Sequence, residues 1–372
     1  MTPLRVLHLA ANRWWTGSAD PTIQLVSGLR ARGHRVLLGV IPGDRFEAKA
    51  REAGLDLVPG LTLSPRAAPL ALARDLARLR RLVREQDIEV IHAHHSHDHW
   101  LALGARAHRP DGRRTSVVRT FHNVRSLKDG PLARALHQRT RAAFAVSRQI
   151  EARCLEVGFP AARVHRTPGV ADLARFDGHA DPGPIRDEFK VGDAPAIVCV
   201  SRLAAHRGHE LLLFGYHHLL AQLPAARLLL VGKGEERPRL EQLVADLGLG
   251  DRVIFTGYRD RDLPAVLAAA DCFTLMGAGS DESCRAALEA MAAGRPVVAR
   301  RVGALPETVV DGETGILLER DEPEALGHAL ADLLANPARA RAMGQAGRRR
   351  AHEVFGPERV VSTVERVYLA LR

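Results

Sequence analysis

Long hydrophobic runs are missing from this 372-residue sequence. No apolar stretch approaches the ~20 residues that a membrane-spanning helix needs. The start, MTPLRVLHLAANRWW, reads as a strand followed by a polar loop rather than a secretory signal, so cytoplasmic residence is expected. Cysteine is scarce. Cys154, Cys199, Cys272 and Cys284 are widely spaced with no C-x-x-C pair, which argues against a zinc ribbon or a disulfide framework. Aromatic residues make up 4% of the chain, too few for the stacking platforms of single-strand binders. Lysine is rare as well: four of the 53 basic residues (Lys49, Lys128, Lys190, Lys233) are lysines, and the arginines accompany abundant alanine. The net charge of +10 therefore reflects compositional bias in part. With no helix-turn-helix, RNP-like or zinc-finger signature, nucleic acid is not an expected partner. Low-complexity segments and short repeats are absent too.

What is present is a rhythm. Short apolar runs alternate with segments of helical period from end to end, the pattern of parallel sheets with crossover helices. It occurs twice, as the length suggests for two cores of ordinary size. In the first half strands are expected at Leu4–Leu9, Arg35–Val40, Glu89–His92, Ser116–Thr120 and Ala143–Val146, with helices over Asp20–Ala31 and Pro69–Gln86. In the second half strands are expected at Ala196–Val200, Arg227–Val231, Val253–Phe255, Cys272–Leu275, Pro296–Ala299 and Ile316–Leu318. Between them Thr167–Pro195 is rich in proline and glycine and lacks a sustained apolar period, so it reads as a linker. The closing segment Pro357–Arg372 has a helical rhythm in Val360, Val361, Val364, Val367, Tyr368 and Leu371.

Gly279–Gly294, GSDESCRAALEAMAAG, sets Asp281 and Glu289 eight apart across a helix start, just before a strand. Eight residues is a little over two turns, so both carboxylates can face one ligand. Asp281 or Ser283 is the expected N-terminal cap and Gly294 the C-terminal one. Free amides near Ser283–Arg285 would then form an anion site.

This segment resembles the E-x7-E element of family 4 retaining glycosyltransferases of GT-B fold, with Asp281 where the first glutamate is usual and Glu289 matching the second. Upstream, VSRLAAHRGHELLL resembles the family segment in which two cations five apart, here Arg202 and Arg207, hold the donor diphosphate. The similarity is densest over Val200–Glu319. It implies two Rossmann-like domains facing a cleft: an acceptor-binding domain at 1–170, a linker at 171–195, a donor-binding domain at 196–356, and a last helix, 357–372, crossing back to the first domain. It also implies sugar transfer from a nucleotide diphosphate donor to a glycan or lipid-linked hydroxyl acceptor, with retention, in cell-envelope glycan, lipopolysaccharide or glycolipid synthesis.

By the same resemblance Glu289 holds the ribose, Asp281 reaches the transferred sugar, and Arg202 and Arg207 neutralise the leaving diphosphate, so no metal cofactor is needed. The family reads E-G-F-G where this chain has Asp281, Glu282, Ser283 and Cys284. Either Asp281 sits closer to the sugar or Glu282 takes over the contact, and Arg285 adds a cation near the phosphates. Tyr258 lies where the family's loop meets the base. In the first domain His122 matches the histidine facing the reacting sugar, and Gly17 falls in a loop that approaches the diphosphate. Trp14 and Trp15 either shape the acceptor site or pack between domains. A non-catalytic sugar-nucleotide or glycan binding protein of the same fold is the rival reading.

The run HAHHSHDHW offers His92, His94, His95, His97, His99 and Asp98. Alternate strand residues point to opposite faces, so the five histidines cannot converge on one metal. The opening His92-Ala93-His94 resembles a cleft-facing pair of the family, and His95 is a candidate acceptor contact. Arg30, Arg32, Arg35, Arg78, Arg80, Arg81 and Arg84 either lean on anionic lipid headgroups, giving peripheral contact with a membrane, or form a solvated face.

Overall fold

Runs such as RVLHLA and AIVCV are apolar on both faces, and in the computed structural model both faces are covered: Val6, Leu7, His8 and Leu9 are all fully buried, as are Ala196, Ile197 and Val198. Strands buried this way belong to parallel sheets flanked by helices. The structure describes residues 2–12, 17–279 and 281–372, and the chain divides into two units, Met1–Val170 with Pro357–Arg372, and Ala171–Gly356.

The first unit runs β1 (Arg5–Ala10), α1 (Ala19–Ala31), β2 (Arg35–Val40), α2 (Arg45–Glu52), β3 (Asp56–Leu57), α3 (Pro69–Glu85), β4 (Val90–Ala93), α4 (Ser96–Ala105), β5 (Ser116–Phe121), α5 (Pro131–Arg139), β6 (Ala142–Ala145), α6 (Arg148–Glu156) and β7 (Val164–Arg166). Its seven parallel strands lie in the order β3-β2-β1-β4-β5-β6-β7. The second unit runs α7 (Gly183–Glu188), β8 (Ala196–Val200), α8 (His209–Leu220), β9 (Arg227–Val231), α9 (Arg237–Asp246), β10 (Val253–Gly257), α10 (Leu263–Ala268), β11 (Cys272–Leu275), α11 (Arg285–Ala292), β12 (Val297–Arg300), α12 (Leu305–Thr308), β13 (Gly315–Leu318), α13 (Pro323–Leu334) and α14 (Pro337–Phe355). Its six strands lie in the order β10-β9-β8-β11-β12-β13.

Chain order reverses between β1 and β4 in one sheet and between β8 and β11 in the other. Such reversals open a crevice at the carboxyl ends of the strands, the place where ligands bind in open sheets. Each unit therefore has one position favoured by topology.

The closing helix α15 (Pro357–Ala370) belongs to the first unit. It buries Val360, Val361, Val364 and Tyr368, and a Cβ on Gly28 of α1 would fall 2.4 Å from Val361 Cγ2. The two helices approach this closely because Gly28 has no side chain. Arg32 reaches Glu358, Ser362 and Glu365 along the same seam, with His34 Nε2 2.7 Å from Glu365 Oε1.

Sequence reading missed the short edge strands β3 and β7, which carry too few residues to show a period. The segment read as a linker also proves ordered: Ala171, Leu173, Phe176, Ile185 and Val191 are buried in the core of the second unit, and part of it forms α7. Its prolines and glycines punctuate packed turns.

Candidate functional site

In the second unit, the loop leaving β8 contains Arg202 and Arg207 in different settings. Arg202 is 62% exposed at its side chain and pairs with Glu235 at 2.8 Å. Arg207 stands between two left-handed residues, His206 (φ 63°) and Gly208 (φ 74°), a turn that lays it along the chain leaving β11. A Cβ on Gly277 would come within 2.8 Å of Arg207 backbone atoms, and one on Gly279 within 2.0 Å of Arg207 Nη1. The guanidinium thus rests on bare backbone, 3.3 Å from the Ala278 carbonyl. Next to it His209 is buried, and desolvation followed by the Arg207 charge lowers its imidazole to about 4, leaving it neutral.

Gly232 and Gly234 bring a second loop against the first. Cβ atoms there would fall 2.0 Å from the Ser201 carbonyl oxygen and 1.9 Å from that of Leu203. This contact delivers Glu235, whose carboxyl is held below its usual range first by its own backbone amide, then by the hydrogen bond from Arg202, with Arg207 contributing at longer range. Both arginines therefore act on one region at the carboxyl end of β8.

Across the topological switch lies the acidic element. Asp281, Ser283, Cys284 and Glu289 are all buried. Neither Asp281 nor Ser283 caps α11: Cys284 occupies the cap position in a left-handed conformation (φ 53°), and no side chain caps the helix. Asp281 Oδ1 instead accepts from the Ser283 amide at 2.8 Å, so that amide is taken by the chain's own carboxylate. Gly303 (φ 55°) packs over the turn, where a Cβ would meet the Glu282 carbonyl oxygen at 2.8 Å and Cys284 Sγ at 3.2 Å. Burial pushes the Cys284 thiol up to about 12, which keeps it protonated and unreactive. Arg285 Nη1 lies 2.9 Å from Glu289 Oε1, one turn along the helix. Tyr258, following left-handed Gly257, is 36% exposed. Gly277 is the residue sequence reading overlooked; its signal was the G-A-G spelling of residues 277–279.

In the first unit, the carboxyl ends of β1 and β4 converge on Asp98. Its Oδ2 accepts from the Ala11 amide at 3.1 Å and the His95 amide at 3.0 Å, tying together the two loops that flank the switch. Burial, the largest influence, raises this carboxyl to about 7. His95 Nε2 sits 2.8 Å from Asn12 Oδ1, and Ser18 Oγ donates to the same oxygen at 3.2 Å. Since that oxygen only accepts, His95 is protonated on Nε2. His122, buried just past β5, stacks at 5.8 Å from His94 and lies 6.1 Å from His95, measured between ring centroids. Gly17 lies in the turn before α1; Trp14 and Trp15 fall outside the described residues.

The histidine run separates as strand geometry requires. His92 and His94 share a face, stacked at 4.5 Å, while His97 and His99 lie on α4, His99 Nε2 being 2.7 Å from Thr140 Oγ1. The unforeseen partners are His8, directly beside His92 in the β1–β4 register, and Tyr368 of α15. His8, His92 and His94 offer nitrogen atoms within 4.8 Å of one another. Among the described residues all six of these nitrogens already have hydrogen-bond partners, which a metal ion would have to displace.

The basic cluster divides too. Arg30 and Arg32 are engaged with Gly54 and with α15 respectively, and Arg35 donates to Gln86 at 2.5 Å. Arg78, Arg80, Arg81 and Arg84 project from α3, whose neighbours in space include α4; these two helices expose Leu70 and Trp100. Among the described residues no helix is long and apolar enough to cross a membrane.

Comparison with known proteins identifies the family and the fold. The Glycosyl transferases group 1 family matches residues 184–350 and Glycosyltransferase Family 4 matches residues 17–175. A GDP-mannose-dependent alpha-(1-6)-phosphatidylinositol monomannoside mannosyltransferase of Mycolicibacterium smegmatis is 34% identical over 82% of this chain and 81% of its own. An N-acetyl-alpha-D-glucosaminyl L-malate synthase of Bacillus anthracis is 26% identical over 80% and 78%. In fold, the chain is similar to the Anabaena protein HepE crystallised with UDP and glucose, with a TM-score of 0.84 at 20% identity over 99% of this chain and 100% of that one.

Proposed function

We propose, from the premise that this chain belongs to the family 4 glycosyltransferases of GT-B fold and is itself a glycosyltransferase, that it moves a hexosyl group from a nucleoside diphosphate sugar to a hydroxyl of a membrane glycolipid, with retention and without a metal ion. One observation carries the donor side: Arg207 is laid on the bare backbone of residues 277–279, at the switch point, where its charge meets the chain leading into Asp281. A fixed cation in that position stabilises charge developing on a departing diphosphate at no cost in reorganisation. Arg202, now held by Glu235, joins it when phosphate replaces the carboxylate, and this pair does the work a divalent ion would otherwise do. Glu289 exchanges its bond to Arg285 for the ribose hydroxyls, which frees Arg285 toward the phosphates. Asp281, with Glu282 beside it, meets the transferred sugar, and Tyr258 borders the base. His122 faces the reacting sugar, with Gly17 and His95 in the loops around it.

GDP-mannose is the first donor to test, since the mannosyltransferase at 34% identity uses it. Purified protein is titrated with GDP-, UDP-, ADP- and CMP-sugars, with and without EDTA, and then given donor plus a phosphoinositide glycolipid. Selective, EDTA-insensitive stabilisation by one donor followed by an α-linked product is expected from an α-linked donor. A product of inverted anomeric configuration would sink the retaining mechanism, and absence of turnover with every donor would sink the transfer reaction.

Gly279→Ala isolates the role of Arg207 placement. The added methyl must push the flexible guanidinium aside while the backbone stays where it is, so we expect transfer to fall roughly tenfold or more with Tm within about 2 °C of wild type. A normal rate would mean the resting position of Arg207 is immaterial.

Acceptor lipid places the first unit at a membrane, and the exposed arginines of α3 with Leu70 and Trp100 suit that contact. Flotation with anionic vesicles is expected to carry the wild type up. Trp100→Ala combined with Arg81→Glu and Arg84→Glu should weaken vesicle affinity at least about 30-fold at physiological salt, at about 1 kcal/mol per basic residue removed from the surface. Equal flotation of both proteins would dismiss this face.

A further inference from the structure

The buried histidines of the first unit form a continuous chain of hydrogen bonds whose direction can be worked out. Thr120 Oγ1 lies 2.7 Å from His92 Nε2; His92 Nδ1 lies 2.5 Å from the Tyr368 hydroxyl; that hydroxyl lies 3.4 Å from His8 Nε2. His8 Nδ1 then lies 3.1 Å from His94 Nε2, and His94 Nδ1 lies 3.3 Å from Thr22 Oγ1. Tyr368, His8 and His92 are wholly buried, with His94 and Thr22 nearly so.

A neutral imidazole has one N–H and one lone pair, and a hydroxyl has one proton. If every link is a hydrogen bond and every ring is neutral, the chain has only two self-consistent directions, and one end decides between them. Thr22 Oγ1 is 2.8 Å from the Ser18 carbonyl oxygen, which can only accept. The Thr22 proton goes there, so Thr22 accepts from His94 Nδ1–H. His94 Nε2 then accepts from His8 Nδ1–H, His8 Nε2 from the Tyr368 hydroxyl, Tyr368 from His92 Nδ1–H, and His92 Nε2 from Thr120. All three rings carry the Nδ1 proton.

We infer that these groups act as one hydrogen-bonded wire of single polarity, and that Tyr368, the link supplied by α15, is a positioning residue for the start of α1 and the loop before it. The wire ends on Ser18, whose hydroxyl shares Asn12 Oδ1 with His95, so its direction is felt in the loops after β1 and β4. That these loops meet substrate rests on the proposed transferase function; the direction of the wire does not.

Histidine-selective 15N NMR of the full chain, with long-range proton correlation, reads the tautomer of each ring. In the wild type His8, His92 and His94 should all show the Nδ1–H pattern. Thr22→Val removes the last acceptor, and the three rings should convert together to Nε2–H, Thr120 then accepting from His92. In the Tyr368→Phe background the same Thr22→Val change should move His94 and His8 and leave His92 as it was. Any other wild-type pattern, or a change confined to His94 in Thr22→Val, overturns the wire. If Tyr368→Phe does not fold, Thr22→Val alone still decides. The positioning role is read in kinetics: either single variant should raise the acceptor KM about tenfold with kcat changed less, and an unchanged KM overturns that role. Loss of the transferase reading would show as no turnover in wild type while the tautomers stay readable.

Discussion

Arg207→Ala is expected to lower kcat/KM by about 100- to 1000-fold, roughly 3–4 kcal/mol of transition-state stabilisation, the range seen when one preorganised donor is removed from a developing anion. Arg202→Ala should cost far less, about tenfold or below. Arg202 is 62% exposed at its side chain and already shares its charge with Glu235, and a charge in water is screened. Arg207→Lys should fall between them, keeping the charge while losing the planar fork. The measurement is steady-state transfer with the preferred donor, with nucleotide binding followed in parallel. Activity of Arg207→Ala within threefold of wild type would remove the residue from the mechanism and leave the bare backbone of residues 277–279 without its explanation.

Acidification should weaken the first unit most, since it holds most of the buried histidines. Burial lowers His8 to about 3 and drives His92 and His94 well down, each further lowered by neighbouring histidines in the latter two. His99 is lowered by burial and then by Arg119. A histidine whose folded pKa is depressed binds its proton more readily when unfolded. Its stabilising effect is therefore complete above about 6.5 and is lost as pH falls below that value. Between pH 7.5 and 5.5 the four rings together cost about 5 kcal/mol. Asp98 has the opposite sign. Its raised value of about 7 means the folded state favours the protonated acid, so its contribution is present at low pH and lost as pH rises through 7; over the same interval acidification returns about 2 kcal/mol. The net loss of about 3 kcal/mol corresponds to a transition for the first unit roughly 6–12 °C lower at pH 5.5. Calorimetry on the full chain resolves this, and a transition temperature flat across that interval would mean the rings are hydrated or already charged. His8→Gln should flatten part of the dependence, which distinguishes the cluster from general acid lability.

Much of the fold was legible because the strands of both sheets are apolar on both faces. β2, β8, β9 and β11 have the bounds their composition suggests, and the rhythm of Val360, Val361, Val364 and Tyr368 marks the buried stripe of α15. The site was legible where local chemistry dictates it. Asp281 and Glu289 stand eight apart across a helix start and two cations stand five apart after a strand, whereas Gly277 and the capping pair of His95 with Asp98 went unread. Asp281 was misjudged as a cap because a short acid before a helix usually serves there; the left-handed Cys284 displaced it to the Ser283 amide.

The sequence by itself determined the two parallel-sheet units, the family and the residue types needed around a diphosphate, since those follow from local period, spacing and charge. Tertiary structure decided which of those residues act together. Arg202 and Arg207 are alike in sequence, and only the packing of residues 277–279 holds one half-buried against backbone while the other stays in water. His8, the His92–His94 pair and Tyr368 are separated by as many as 360 residues, and no period or spacing links the three positions. They meet because β1 pairs with β4 and because α15 returns to the first unit. Long-range register and helix docking are set by burial of the whole core, and that is information no local stretch of chain contains.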